Sequence, residues 1–258
     1  MKKRNIILLL IAFTHGIFLT LIIIFYIMSD YENRLYKQIL SENINEGMSE
    51  KNKVIKLLDV THNLVEPRTA LFSKLNDINL RDKFFRSSEV QLIDGRGGCG
   101  SFVHVLGVLL KKINIEFRVA QMKCKNVWAC HIIAEAKINE KWVLLDPTYN
   151  LYFINKNNEL ASINDLLDNF NYYKSQLPDN YDLGYDYEDI RYTNWNRLPI
   201  LNKVIELAIG KENFNNISLR VYMLDVYKNF LFFILFLYLI LIIISFQFLK
   251  KIKFFTKF

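Results

Sequence analysis

Two runs of the chain contain no Asp, Glu, Lys or Arg: Asn5 to Met28 and Phe230 to Leu249. They read NIILLLIAFTHGIFLTLIIIFYIM and FLFFILFLYLILIIISFQFL. About 20 mostly apolar residues are enough to cross a bilayer as a helix. Both runs reach that length, so two transmembrane helices are expected, at 5–28 and 230–249. A cleaved secretory signal has an apolar region of about 7–15 residues followed by a small-residue cleavage site. The first run is longer and continues into SDYENR, so it is expected to remain as an anchor. Burying both helices in a soluble core would need apolar partners on every face, and nothing else in the chain is apolar enough. His15, inside the first run, is expected to be neutral and hydrogen-bonded to a helix neighbour.

Charge gives the orientation. The tails, 1–4 and 250–258, carry Lys2, Lys3, Arg4, Lys250, Lys251, Lys253 and Lys257 and no acid. These seven account for the net charge of +7; the remaining Lys and Arg balance the 26 Asp and Glu. Basic tails stay on the cytoplasmic side. Both ends are therefore expected in the cytoplasm, and residues from about 30 to 229 in the periplasm or outside the cell. A nucleic-acid partner would call for an excess of basic charge on the folded part, and the charge count gives no support for one. Three cysteines, Cys99, Cys124 and Cys130, are too few for a disulfide framework. Cys124 and Cys130 can bridge only if they lie opposite each other.

The residues between the spans suit one domain. Residues 30–89 read as a linker and helical lead-in. Asp30 to Lys53 is polar and irregular and reads as a membrane-exit segment and linker with some helix. Val54, Leu57, Leu58 and Leu64 recur at helical spacing, and Pro67 is expected to end that helix. His62 falls here as an ordinary surface or core residue, and Arg68 to Ser88 as further short helices. Residues 90–215 are expected to form the functional domain. Phe102, Val105, Leu106, Leu109, Leu110 and Ile113 trace an amphipathic helix from about Gly100 to Lys112, with Lys111 and Lys112 at the negative end of its dipole. Strands are expected at Glu116 to Lys123, Val127 to Ile138 and Lys141 to Asp146, the last two joined by a turn at Asn139-Glu140. Beyond them come a short helix (Ile163 to Phe170), a long ordered loop (Tyr172 to Trp195) and a helix (Leu201 to Ile209). Ser218 to Lys228 leads into the second span.

Cys99 stands three residues before Phe102, at the start of the apolar helix and on its core side. A helix N-terminus and a neighbouring imidazolium both favour a thiolate. Glycines at 95, 97, 98 and 100 let backbone N–H groups approach a reacting carbonyl. The competing reading is a buried structural cysteine in a plain turn. A phosphate loop is a poorer fit, because the Gly-Lys-Ser/Thr ending is missing. A two- or four-residue loop centred on Asn139-Glu140 would pair His131 with Thr148, Ile133 with Asp146 and Glu135 with Leu144. His131 and Asp146 then lie diagonally on one face, about 7–8 Å apart at the backbone. A three- or five-residue loop would put them on opposite faces. The pattern predicts Cys99, His131 and Asp146 as nucleophile, base and orienter. Cys130 is expected on the opposite face. Glu135 shares the face of His131 and is a weaker candidate for orienting it. His104 falls off the apolar stripe of the helix and is not expected in the site.

The same residues resemble the transglutaminase-like superfamily. Gly98-Cys99 opens a helix; Asn114-Ile115-Glu116-Phe117-Arg118 is a short turn and an Arg-bearing strand. His131 is followed four residues on by Glu135, and Trp142 precedes Asp146-Pro147-Thr148. The match covers about residues 90–150. It departs where Cys130 replaces a small residue, and where Ile132 and Ile133 stand in place of an aromatic residue. The resemblance implies an α+β fold with a papain-like core, the Cys at a helix N-terminus packed on an antiparallel sheet. It implies the triad Cys99, His131 and Asp146, with Gln91 upstream as an oxyanion candidate, and neither metal nor cofactor. The expected function is thiol-dependent acyl transfer or amide hydrolysis at the membrane, on protein or cell-envelope peptide carboxamides. The alternative is a catalytically silent binding or scaffold subunit of a membrane complex.

Overall fold

Both apolar runs fold as helices that extend beyond them. In the computed structural model, which describes residues 2–72, 87–96, 98–193, 195 and 201–255, helix α1 covers Lys2–Asn43 and the last helix covers Val226–Phe255. Each contains a stretch long and apolar enough to cross a membrane. The polar segment after the first run, expected to be irregular with some helix, is helical as far as Asn43. It is rich in Glu, Lys, Gln and Leu, which are good helix formers. A helix nucleated upstream extends through them at one hydrogen bond per residue.

The chain divides into two units, Met1–Leu35 with Asp225–Phe258, and Tyr36–Leu224. In the first, Phe25 stacks on Phe230 at 5.4 Å. His15 Nδ1 lies 3.3 Å from Tyr238 Oη and Nε2 lies 3.1 Å from Ser245 Oγ. The partners of His15 are thus on the other apolar helix. A polar group in hydrocarbon needs such a partner.

The second unit is α+β. Its elements are α2 (Glu50–Phe72), α3 (Ser88–Asp94), α4 (Cys99–Lys112), β1 (Phe117–Cys124), β2 (Val127–Ile138), β3 (Lys141–Asp146) and β4 (Leu151–Tyr152). Then come α5 (Ile163–Asp168), α6 (Phe170–Lys174), β5 (Asp186–Arg191), α7 (Asn202–Ile209), α8 (Lys211–Asn216) and α9 (Leu219–Tyr222). The strands make one antiparallel sheet in the order β4-β3-β2-β1-β5. Strand alternation sorts its side chains onto two faces. Val119, Ala134, Ala136, Val143 and Leu145 join the core formed with α2 and α4. Ala120, Met122, Ile133 and Leu144 join a second core with α5, α6 and the tyrosines of 173–187.

Helix α4 reads as amphipathic, yet every residue from Gly100 to Leu110 is buried, His104 included. It packs against β2 as well as α2 and α3, so the polar side expected from the sequence is covered too. Burying a leucine such as Leu106 or Leu109 stabilises by about 1.5–3 kcal/mol, and both are fully enclosed. Val54, Leu57 and Leu58 of α2 are equally buried. The segment read as a lead-in is therefore part of the domain core. Pro67 does not end α2, which runs on to Phe72. Proline lacks an N–H and crowds the carbonyl of Asn63. The turn beyond it is held from outside, because Thr69 Oγ1 donates to the carbonyls of Val65 (3.3 Å) and Gly95 (3.2 Å). Of the short helices expected over Arg68 to Ser88, the first residues continue α2, Ser88 opens α3, and the rest lie outside the described residues.

The β2–β3 hairpin turns through Asn139 and Glu140, both at positive φ (48° and 64°), as a two-residue turn between twisted strands requires. It pairs Ile138 with Lys141 and continues to Ala134 with Leu145. The stretch expected to be a loop between Tyr172 and Trp195 contributes β5, which pairs with β1. At its C-terminal end the domain extends beyond 215, because Val221 packs on the core and Leu224 lies inside it.

Candidate active site

The loop ahead of Cys99 is tightly bound to itself. Gly95 closes α3 with φ 60°, its N–H donating to the Gln91 carbonyl at 3.0 Å. Gly98 N–H donates to Gly95 O (3.2 Å), and Ser101 N–H to Gly98 O (2.8 Å). Gly98 is the N-cap of α4 at φ 53°. Gly97 lies outside the described residues. Cys99 is thus the first residue of α4, half-buried, and its thiol is free. The first N–H groups of a helix, here those of Cys99 and Gly100, have no intrahelical acceptor. Arg220 of α9 donates from Nη1 to the Gly100 carbonyl at 3.3 Å, bracing the same turn. A Cβ on Gly95 would lie 2.8 Å from the Thr69 backbone nitrogen. Left-handed backbone strain and overpacking each cost at least about 1 kcal/mol. Gly95→Ala is therefore expected to lower the stability in denaturant unfolding by about 3 kcal/mol; unchanged stability would contradict the tight clasp.

His131 and Asp146 sit just past the last paired residues of β2 and β3. The ladder stops at Ala134 with Leu145, so the expected pairs His131–Thr148 and Ile133–Asp146 are not part of it. Beyond that point Asp146 pairs instead with Leu151 of β4. The two side chains still meet as the register requires: His131 Nε2 lies 2.7 Å from Asp146 Oδ2. His131 is 2% exposed and Asp146 is fully buried. Asp146 Oδ1 accepts the Thr148 N–H at 3.1 Å. The Cys99 side chain is close enough to His131 to be among the groups that raise the pKa of its ring. With Nε2 committed to Asp146, Nδ1 is the ring nitrogen left for the sulfur. The structure therefore pairs His131 with Asp146 and places Cys99 near enough to act on the His131 ring.

Burial pushes the His131 pKa down, but the hydrogen bonds to Asp146 and Cys99 and the charges of both outweigh it, raising it to about 9. A group whose folded pKa exceeds its ordinary value of 6.5 adds stability that is complete below that value and lost as pH rises through about 9. The melting temperature is expected to decline through that window, and His131→Gln should remove this part of the decline. An identical pH profile in His131→Gln would contradict the pairing.

Four tyrosines surround the pair, and the sequence reading did not identify them. Tyr185 stacks flat on the His131 ring, with centroids 4.2 Å apart and planes 10° from parallel. Tyr149 meets the ring edge-on at 5.8 Å. Tyr181 donates to Asp146 Oδ2 at 3.4 Å and is hydrogen-bonded to Tyr187. Burial raises the pKa of Tyr181, Tyr185 and Tyr187, so each keeps its hydroxyl proton at neutral pH. A signal was available: Tyr185 and Tyr187 stand two apart, which places them on one face of a strand. His62 is not an ordinary residue either. Its Nδ1 lies 3.2 Å from the Pro147 carbonyl, and Asp59 on the same helix accepts from Asn150 at 3.1 Å. Together they tie α2 to the turn that follows Asp146.

Glu135 does not orient His131; its carboxylate is bound to Arg118 Nε at 2.7 Å. Gln91 is buried in α3, which packs against α4. Cys124 and Cys130 form a disulfide, with Cα atoms 5.9 Å apart. It spans the bulge between β1 and β2, where Ala129 takes φ 59°. The bridge leaves Cys99 as the free cysteine. Among the described residues no group of three or more His, Cys, Asp and Glu is placed to hold a metal ion. No family model matches the chain, and no curated protein or solved structure matches it either.

Proposed function

We propose that the protein is a membrane-anchored thiol enzyme of the transglutaminase-like type, with a papain-like core, acting on amide bonds of proteins or envelope peptides. One observation carries the reading: His131 is hydrogen-bonded to Asp146 and lies within electrostatic reach of Cys99, which stands at a helix start. His131 takes the proton of the Cys99 thiol, and the sulfur attacks the amide carbonyl carbon. The oxyanion is met by the N–H groups of Cys99 and Gly100. His131 then gives its proton to the departing amine as the C–N bond breaks, leaving a thioester. Water or a second amine, losing a proton to His131, attacks the thioester and returns the free thiol. Asp146 holds the imidazole in the required tautomer throughout. The pairing of His131 with Asp146 near a free thiol argues against the silent scaffold reading.

The location proposed is the cytoplasmic membrane, with both ends in the cytoplasm and residues 36–224 in the periplasm or outside the cell. The basic tails support this, and so does the Cys124–Cys130 disulfide, since disulfides persist in oxidising compartments. The experiment is to incubate the protein, in detergent or vesicles, with carboxamide peptides, with and without a primary-amine acceptor. Mass spectrometry reads cleaved, deamidated or amine-joined products. Products that require Cys99 support the proposal; products that persist in Cys99→Ala overturn it.

A further inference from the structure

The contacts of His131 with its two partners lie at the edge of its ring. Nε2 is held by Asp146, which leaves Nδ1 as the nitrogen available to nearby Cys99. Edge contacts resist sliding in the ring plane but only weakly resist rotation of the plane about the Cβ–Cγ bond. Such a rotation would swing both nitrogens off their partners together. A group against the flat face of the ring resists it, and Tyr185 is placed there, 4.2 Å away and within 10° of parallel. Tyr185 is itself held, because its hydroxyl lies 3.3 Å from that of Tyr149, and its ring meets Tyr181 edge-on at 5.4 Å. Tyr149 in turn touches the edge of the His131 ring.

We propose that Tyr185 is a positioning residue of the site: its ring is the wall that keeps the His131 imidazole in the plane shared by Cys99 and Asp146. The inference rests on the thiol-enzyme reading above. It extends that reading to the tyrosine segment, which sends the stacking ring onto His131 from the residue just ahead of β5, the edge strand beside β1. The chemistry needs this plane twice, once to take the thiol proton and once to return it to the leaving amine. Misplacing a catalytic group by about 1 Å costs up to about 100-fold in rate.

The test uses the full chain in detergent and the rate of Cys99 alkylation by iodoacetamide as a function of pH, without reductant, so that the disulfide stays closed. In the wild type the rate is expected to depend on His131 and to be high below the pH at which an ordinary thiol ionises, about 8.5. Tyr185→Leu should lower the neutral-pH rate about tenfold and move the profile toward that of an ordinary thiol. Tyr185→Phe, which keeps the ring, should restore both. Should the Leu variant unfold, Tyr185→Gln takes its place. If Tyr185→Leu keeps the wild-type profile while His131→Ala loses it, the positioning role falls and the thiol-enzyme reading stands. A Phe variant as slow as the Leu variant also overturns the role of the ring. If the wild type behaves like His131→Ala, both readings fall.

Discussion

Cys99→Ala is expected to abolish turnover, lowering kcat by on the order of 10⁴–10⁶-fold, while the protein melts as the wild type does. The thiol is half-buried at the first residue of α4, so its removal opens no large cavity. His131→Ala should cost about as much, because a nucleophile and its base act as one unit. The double variant should then be no worse than either single one. Asp146→Ala is expected to behave differently. Loss of the orienting carboxylate lowers turnover by about 10⁴-fold. It also removes a buried acceptor of bonds from His131, Thr148 and Tyr181, so stability falls as well. Steady-state kinetics on a reactive peptide ester, together with melting curves, separate the cases. A Cys99→Ala protein with a tenth of wild-type turnover would contradict the account.

The second large effect concerns stability. Arg118 lies between two aromatic rings, its guanidinium carbon 4.5 Å from the centre of Trp142 and 3.9 Å from that of Tyr192. Its Nε holds the Glu135 carboxylate, whose side chain is 1% exposed. Arg118→Met leaves a buried carboxylate without a countercharge, which costs about 3–5 kcal/mol. Arg118→Lys should recover only part of it, since ammonium lacks the planar fork that stacks between rings. Arg118→Met combined with Glu135→Leu should recover most of it. The alkylation rate of Cys99, measured where each variant is folded, should change little. A double variant as unstable as the single one would show that burial of the charge is not what destabilises Arg118→Met.

How much of this was legible in the sequence depended on whether its cause was local. The hairpin turn is local: Asn139-Glu140 fixes the register, and the register brings His131 to Asp146. The start of α4 is also local, since glycines followed by an apolar period leave few other readings. The burial of α4 on every side was not legible, because its cover is α2 and α3, earlier in the chain. The apparent role of Pro67 failed for the same reason, its helix being secured by Thr69 against Gly95. Glu135 shares the face of His131, as its position suggested, but its partner is Arg118, directly opposite on β1. Choosing between the two needed the third dimension. The tyrosines around His131 were the largest omission. Tyr181, Tyr185 and Tyr187 come from a stretch of Tyr, Asp and Asn with no helical period, and they reach the site because β5 adds to the sheet beside β1; Tyr149 comes from the turn after Asp146.

The measurement that most directly tests the central claim is peptide mapping after reaction with a thiol-reactive acyl probe. The account predicts the acyl mass on the peptide containing Cys99 in the wild type, no label in Cys99→Ala, and little in His131→Ala. Equal labelling of the wild type and His131→Ala, or label retained in Cys99→Ala, would contradict it.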